Sequence, residues 1–304
     1  MDVATPWLDN LLACGLLVPT GVDGVYIRSA KFDAVVDALD AMVGRAGAID
    51  SPEVFRFPPA MPTRALVKSG YIKSFPQLLG TIHCFCGNDA AHRALLRCID
   101  ANEPWMDQQE PTDLLLTPAA CYPLYPVIAA RGLLPSGGGL YDMHSWCFRR
   151  EPSRDPTRMQ TFRVREFVRM GQDAQVLEFR HAWLNRAQDF INELSLPYVI
   201  DVAHDPFFGR AGRLLADSQR EQKLKYELLV PINSESKPTA CVSFNYHLTH
   251  FSEAWDIRLH DGSQAYSGCV GFGLERIALA LFKHHGVDFS TWPATVLQTL
   301  RVQP

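Results

Sequence analysis

The sequence predicts an α+β fold, an antiparallel sheet with helices packed against it, and three observations carry that expectation. Strand-like segments in the second half follow one another with few intervening helices, the pattern of an antiparallel rather than a doubly wound sheet. Helical spacing is confined to a few separated segments. The 304 residues are 47% hydrophobic and 20% charged, which makes a globular chain with a core of ordinary size. No internal repeat, low-complexity tract or polar linker interrupts it, so residues 1–304 read as a single domain.

Taken in order, Phe32, Val35, Val36, Leu39 and Met42 recur at helical spacing, with Asp33, Asp37 and Asp40 on the other side. Pro52, Pro58, Pro59 and Pro62 follow, so this helix must end by about Ser51. Leu114–Leu116, Trp146–Arg149 and Phe162–Val168 read as strands. Residues 178–194 return to helical spacing through Phe179, Trp183, Ala187, Phe190, Ile191 and Leu194. Tyr226–Ile232 and Cys241–Tyr246 are further strands. Gly273–Lys283 reads as a closing helix with Leu274, Ile277, Ala278 and Leu281 buried, entered through the glycine-rich turn that begins at Cys269. Such a turn lets backbone approach a ligand; it also serves as a plain strand-to-helix connection.

Composition excludes several functions. Apolar runs such as Leu11–Val18 are too short to span a bilayer. Asp2 and Asp9, with no early Lys or Arg, argue against a secretory leader. The eight cysteines fit a reducing cytoplasm. A formal net charge of −4 leaves no global basic field for a long nucleic acid.

The chemistry-bearing stretch is FRRE-PSRDPTRMQT-FRVREFVRMG, with Arg149, Arg150, Arg154, Arg158, Arg163, Arg165 and Arg169. Arginine makes planar, bidentate phosphate contacts. Strand alternation puts Arg163, Arg165, Phe167 and Arg169 on one face and Phe162, Val164 and Val168 on the other. The arginine-and-aromatic face suits a nucleotide; a solvated hairpin face is the alternative.

These pieces together resemble the class II aminoacyl-tRNA synthetase catalytic domain. Phe148-Arg149-Arg150-Glu151 is similar to the opening of its second motif, Arg163–Phe167 to that motif's ending, and Gly271-Phe272-Gly273-Leu274-Glu275-Arg276 to its third motif. The helix at 32–46 and the Pro-rich strand at 52–62 occupy the place of the first, dimer-forming motif. Leu196-Pro197-Tyr198 and Lys225-Tyr226-Glu227-Leu228 resemble segments of seryl-tRNA synthetases. Cys121, Glu166 and Cys269 fall where the methanogenic type, and a group of truncated bacterial homologues, carry zinc; otherwise they are two buried thiols and a surface carboxylate. Cys84 and Cys86 are left as core.

Over nearly its whole length the chain resembles those truncated homologues, the amino acid:[carrier protein] ligases. The class II pattern starts by about residue 30 and the chain ends soon after Arg276, leaving little room for a tRNA-binding domain. A helix-compatible insert near 210–222 bears Arg210, Arg213 and Arg220. It is either a docking surface for a small acidic carrier protein or a solvated surface helix.

The resemblance implies a cytoplasmic homodimer using ATP, Mg2+ and one Zn2+ per subunit. It would form an aminoacyl-adenylate of glycine or alanine and pass the acyl group to a phosphopantetheine thiol. It implies that Arg149 holds the α-phosphate, Glu151 the adenine amine, Phe167 the adenine face and Arg276 the γ-phosphate. Arg163 or Arg165 reaches the distal phosphates, and Cys121, Glu166 and Cys269 hold zinc. The family's magnesium glutamate is replaced by Thr239, and a second family glutamate by Leu229, which leaves Glu227 as the nearest carboxylate. Strict alternation sets Glu166 opposite Arg163 and Phe167, so all three reach one substrate only if the strand twists or bulges. The rival functions are a non-catalytic paralogue that binds an amino acid or adenylate and regulates a partner, and a synthetase relying on a partner for tRNA.

Overall fold

A computed structural model describes residues 6–303; Asp2, used above against a leader, lies outside them. The chain builds a seven-stranded sheet from β1 (Glu53–Arg56), β2 (Gly139–Phe148), β3 (Thr161–Gly171), β4 (Val199–Val202), β5 (Lys225–Val230), β6 (Thr239–Leu248) and β7 (Tyr266–Gly273). Their spatial order is β1-β2-β3-β7-β6-β5-β4. Every pairing is antiparallel except β1 with β2. The α+β expectation of an antiparallel sheet flanked by helices therefore holds.

One face of the sheet is closed by α1 (Ala30–Ala48), α2 (Asp173–Glu193) and the closing helix Leu274–His285. The Ser29 side chain caps α1, its Oγ accepting from the Phe32 N–H at 3.2 Å. The residues at helical spacing, Phe32 through Met42, are its buried side. Trp183 of α2 stacks on Phe167 with centroids 4.6 Å apart. Two glycines of α1 admit this layer. A Cβ at Gly44 would meet the Arg165 guanidinium at 2.7 Å, and one at Gly47 the Phe167 ring at 2.2 Å. The opposite sheet face is roofed by the short helices Leu124–Ala129 and His250–Trp255. A separate antiparallel three-stranded sheet (Ala60–Pro62, Glu110–Leu116, Thr81–Cys84) carries its own small core.

Three sequence expectations change. The Pro-rich segment 52–62 is not one strand: Glu53–Arg56 edges the large sheet and Ala60–Pro62 joins the small one, because Pro58 and Pro59 lack the N–H a continuous ladder needs. The glycine-rich run from Cys269 is not a turn but the inner strand β7, buried almost throughout. There Gly268 admits close packing, since a Cβ would lie 2.8 Å from Asn245 O and from Val176. Cys84 and Cys86 are exposed rather than core, on and just beyond an outer strand of the small sheet.

Candidate active site

Strand β3 runs in unbroken register with β2 on one side and β7 on the other. Alternation therefore holds along it without a bulge, and its two faces do different things. Phe162, Val164 and Glu166 line a cleft of about 410 Å3 on the face away from α1 and α2. Arg163, Arg165 and Phe167 point the other way. Arg163 is buried; its main-chain N–H and its Nε donate to Glu275 at 2.6 and 2.8 Å, and Nη2 reaches Asp33 at 2.6 Å. Arg165 is likewise buried between Asp142 and Asp40. Phe167, 1% exposed, sits in the core. The expectation that Arg163, Arg165 and Phe167 meet ATP is thus corrected. A guanidinium needs compensation when it leaves water, and carboxylates of α1, β2 and the closing helix already supply it.

Phe162 takes the aromatic place in the cleft, with the Arg149 guanidinium 5.5 Å from its ring centroid. The sequence held a signal for it, since Phe162 shares parity with Glu166. Arg149 is braced by its Nε donating to Pro118 O at 3.0 Å. Arg276, in the first turn of the closing helix, donates to Thr157 O at 2.9 Å and Ala240 O at 3.0 Å. Both arginines, with Phe162 and Gly273, also border an annex of about 60 Å3 that Glu151 lines. Glu151 pairs with Arg158 at 3.3 Å. Burial lowers the pKa of Arg276; the nearby Cys241 opposes this and repulsion from Arg149 adds to it. Two half-buried guanidinium groups bordering the same cleft and annex create a field that a polyanion would relieve. Glu275 went unassigned in the sequence reading; next to Arg276 in the same motif, it turns to the other side of the sheet and anchors β3.

Cys121, Glu166 and Cys269, which also line the cleft, are buried together. The Cys269 hydrogen bond pulls the Cys121 thiol down, but burial and the Glu166 charge outweigh it and push the thiol up to about 11. Cys269 is raised by its bond with Cys121, by burial and by Glu166. Burial also raises Glu166, whose Oε2 lacks a hydrogen-bond partner among the described residues. Asn245 Nδ2 donates to Cys269 Sγ at 3.3 Å, and His247 Nε2 lies 3.5 Å from the same sulfur. Among the described residues no group of three or more His, Cys, Asp or Glu side chains is arranged as a metal-binding set.

Glu227 lines the cleft and pairs with Lys225 at 3.1 Å. It shares a cross-sheet row with Ser243, Gly271 and Glu166. The insert is the helix α3 (Gly209–Glu221), with Arg210, Arg213 and Arg220 exposed beside Phe208, Leu214 and Leu215. Leu215 and Gln219 of α3 border the cleft.

No family model matches the chain. It is 47% identical, over all of its own length and 92% of the relative's, to the amino acid--[acyl-carrier-protein] ligase 1 of Bradyrhizobium diazoefficiens. The chain belongs to the amino acid--[acyl-carrier-protein] ligase family. It is a ligase. The ligase 2 of the same organism is 46% identical over 98% of this chain and 90% of its own. Among solved structures, the Methanopyrus kandleri SerRS in complex with an A. aeolicus tRNASec superposes with a TM-score of 0.83 at 20% identity. That match covers 99% of the ligase and 61% of the synthetase chain, and it establishes the class II seryl-tRNA synthetase fold.

Proposed function

We propose that the ligase condenses a small amino acid, glycine or alanine, with ATP to give an aminoacyl-adenylate and pyrophosphate. It then transfers the acyl group to the phosphopantetheine thiol of a small acidic carrier protein rather than to tRNA. The observation that carries this is one cleft lined both by Arg149, Arg276 and Phe162 and by Leu215 and Gln219 of helix α3. It occurs in a chain akin over its whole length to a ligase named for an acyl-carrier protein.

In the first step an amino acid carboxylate oxygen forms a bond to the α-phosphorus, and the bond to the leaving pyrophosphate breaks. The carboxylate is already nucleophilic, so the protein's work is positioning and charge neutralisation. Arg149 faces the α-phosphate, Arg276 the γ-phosphate, Glu151 the adenine amine, and Phe162 replaces Phe167 under the base. Glu227 is the cleft carboxylate that would hold Mg2+, which when bound would supply positive charge to neutralise the phosphates. In the second step the thiolate attacks the acyl carbon, and AMP leaves with the electron pair of the broken C–O bond.

Cys121, Glu166 and Cys269 would hold zinc: two thiols and a carboxylate with an unpartnered buried oxygen offer three donors of the right chemistry once deprotonated, and the cleft leaves space for a fourth ligand. When bound it would supply a site of net −1 that prefers a neutral α-amine. The exposed Arg210, Arg213 and Arg220 of α3 suit an acidic carrier. The ligase acts as one catalytic unit in a cytoplasmic homodimer. No helix among the described residues is long and apolar enough to cross a membrane.

The test is pyrophosphate exchange with each amino acid, then acylation of a phosphopantetheinylated carrier, with metal content measured alongside. Exchange confined to glycine or alanine, one zinc per chain, and loss of that zinc in Cys269→Ala are expected. A folded ligase that catalyses no exchange overturns the adenylate reading, and absence of zinc after metal supplementation overturns that ligand set.

A further inference from the structure

The mechanism leaves one cleft cation unused. Lys225 is the lysine that lines the cleft among the described residues, and its side chain is 10% exposed. Its Nζ donates to Asp205 Oδ1 at 2.5 Å and lies 3.1 Å from Glu227 Oε1. Asp205 is in turn clasped by α3: Gln219 Oε1 accepts from the Asp205 N–H at 2.7 Å, and Gln219 Nε2 donates to Asp205 Oδ2 at 2.9 Å. A side chain of the helix proposed to receive the carrier therefore sets, through one aspartate, the position of an ammonium inside the cleft.

What such an ammonium recognises follows from charge and donor counting. Lys225 lies against two carboxylates, Asp205 and Glu227, so this corner carries no surplus positive charge and offers little to a further anion. An ammonium has three N–H bonds, and two are spent on the carboxylates, leaving one for a neutral acceptor. Lys225 does not border the annex shared by Arg149, Glu151 and Arg276. It sits at the end of the cleft lined by Leu215, Gln219, Phe207 and Phe75, on the side from which a group carried by α3 would enter. The proposed second substrate brings amide carbonyl oxygens through that end.

We propose that Lys225 donates its remaining N–H to an amide carbonyl oxygen of the thiol-bearing arm, and that Asp205 and Gln219 are the residues that position it. The inference rests on the carrier-transfer reading above and names the residue that reads the acceptor.

The experiment compares wild type, Lys225→Met, Lys225→Arg, Gln219→Leu and the Gln219→Leu/Lys225→Met double variant. Each is assayed for pyrophosphate exchange and for transfer to two small thiols, pantetheine and cysteamine, the second of which lacks both amide carbonyls. Wild type should prefer pantetheine. In Lys225→Met the preference should collapse, with kcat/KM for pantetheine falling about tenfold more than exchange does. Gln219→Leu should show a smaller loss in the same direction, Lys225→Arg a partial rescue, and the double variant no further loss beyond Lys225→Met, the signature of residues acting in series. The proposal is overturned if Lys225→Met lowers transfer to both thiols alike, or if the two single losses multiply. A wild type that performs no exchange would instead overturn the adenylate reading beneath it.

Discussion

The two faces of strand β3 are built from one run of sequence and do opposite work. Toward α1, Arg163, Arg165 and Phe167 are spent on stability, each satisfied by a carboxylate or a ring. Toward the cleft, Phe162 keeps part of its ring accessible and Glu166 keeps an unpartnered oxygen. Arginine richness is thus no guide to where an anion binds. Among the described residues the arginines that face the cleft, Arg149 and Arg276, hydrogen-bond main-chain carbonyls and make no direct ion pair, whereas Arg163 and Arg165 are paired with carboxylates of the fold itself.

The comparison breaks most readily on the helix-facing side. Arg163→Met leaves the buried Glu275 with only the longer pairing to Arg28 at 3.8 Å, and Phe167→Ala empties a site under Trp183. Each should cost roughly 3–5 kcal/mol of unfolding free energy, read by chemical denaturation. Arg149→Ala on the cleft side should do the reverse, lowering the pyrophosphate-exchange rate by about 10²–10³-fold while the denaturation midpoint moves little. Equal stability losses in Arg149→Ala and Arg163→Met would erase the distinction between the faces.

Acid sharpens the contrast at Asp205. Burial works against the Asp205 charge, but Lys225 and Gln219 overcome it and hold the carboxyl down at about 2. A depressed pKa gives stability that is complete above the ordinary aspartate value and is lost as pH falls through about 2. Asp205 should therefore contribute at most roughly 2 kcal/mol, and Asp205→Asn should flatten the acid limb of a stability-versus-pH curve.

Smaller effects test the floor of the cleft. Phe162→Ala should raise KM for ATP about tenfold with only a modest stability loss, the opposite ranking to Phe167→Ala. A Cβ on Gly271 would meet Ser243 Oγ at 3.4 Å and Glu166 at 4.0 Å, ordinary contacts. Gly271→Ala should accordingly fold normally and show a several-fold rise in substrate KM, because the added methyl stands on the floor between Glu227 and Glu166.

Much of this was legible beforehand. Helical spacing from Phe32 to Met42 and from Phe179 to Leu194, strand alternation through 162–168, and the order of the Arg149–Glu151 and Gly271–Arg276 segments are local properties, set by backbone period and residue type. They sufficed for the α+β class and for the helix in the insert; the family resemblance, not the period, singled out Arg149, Glu227 and Arg276, which line the cleft, and Glu151, which lines its annex. Alternation also separated Glu166 from Arg163 and Phe167 correctly. What it could not say is which face is the inside. That depends on Asp33, Asp40, Gly44 and Gly47 of α1, distant in the chain, meeting β3 and taking up its arginines and its phenylalanine. A period of two divides a strand into faces, but only the elements packed against each face decide which one neutralises its charges and which keeps them for a ligand.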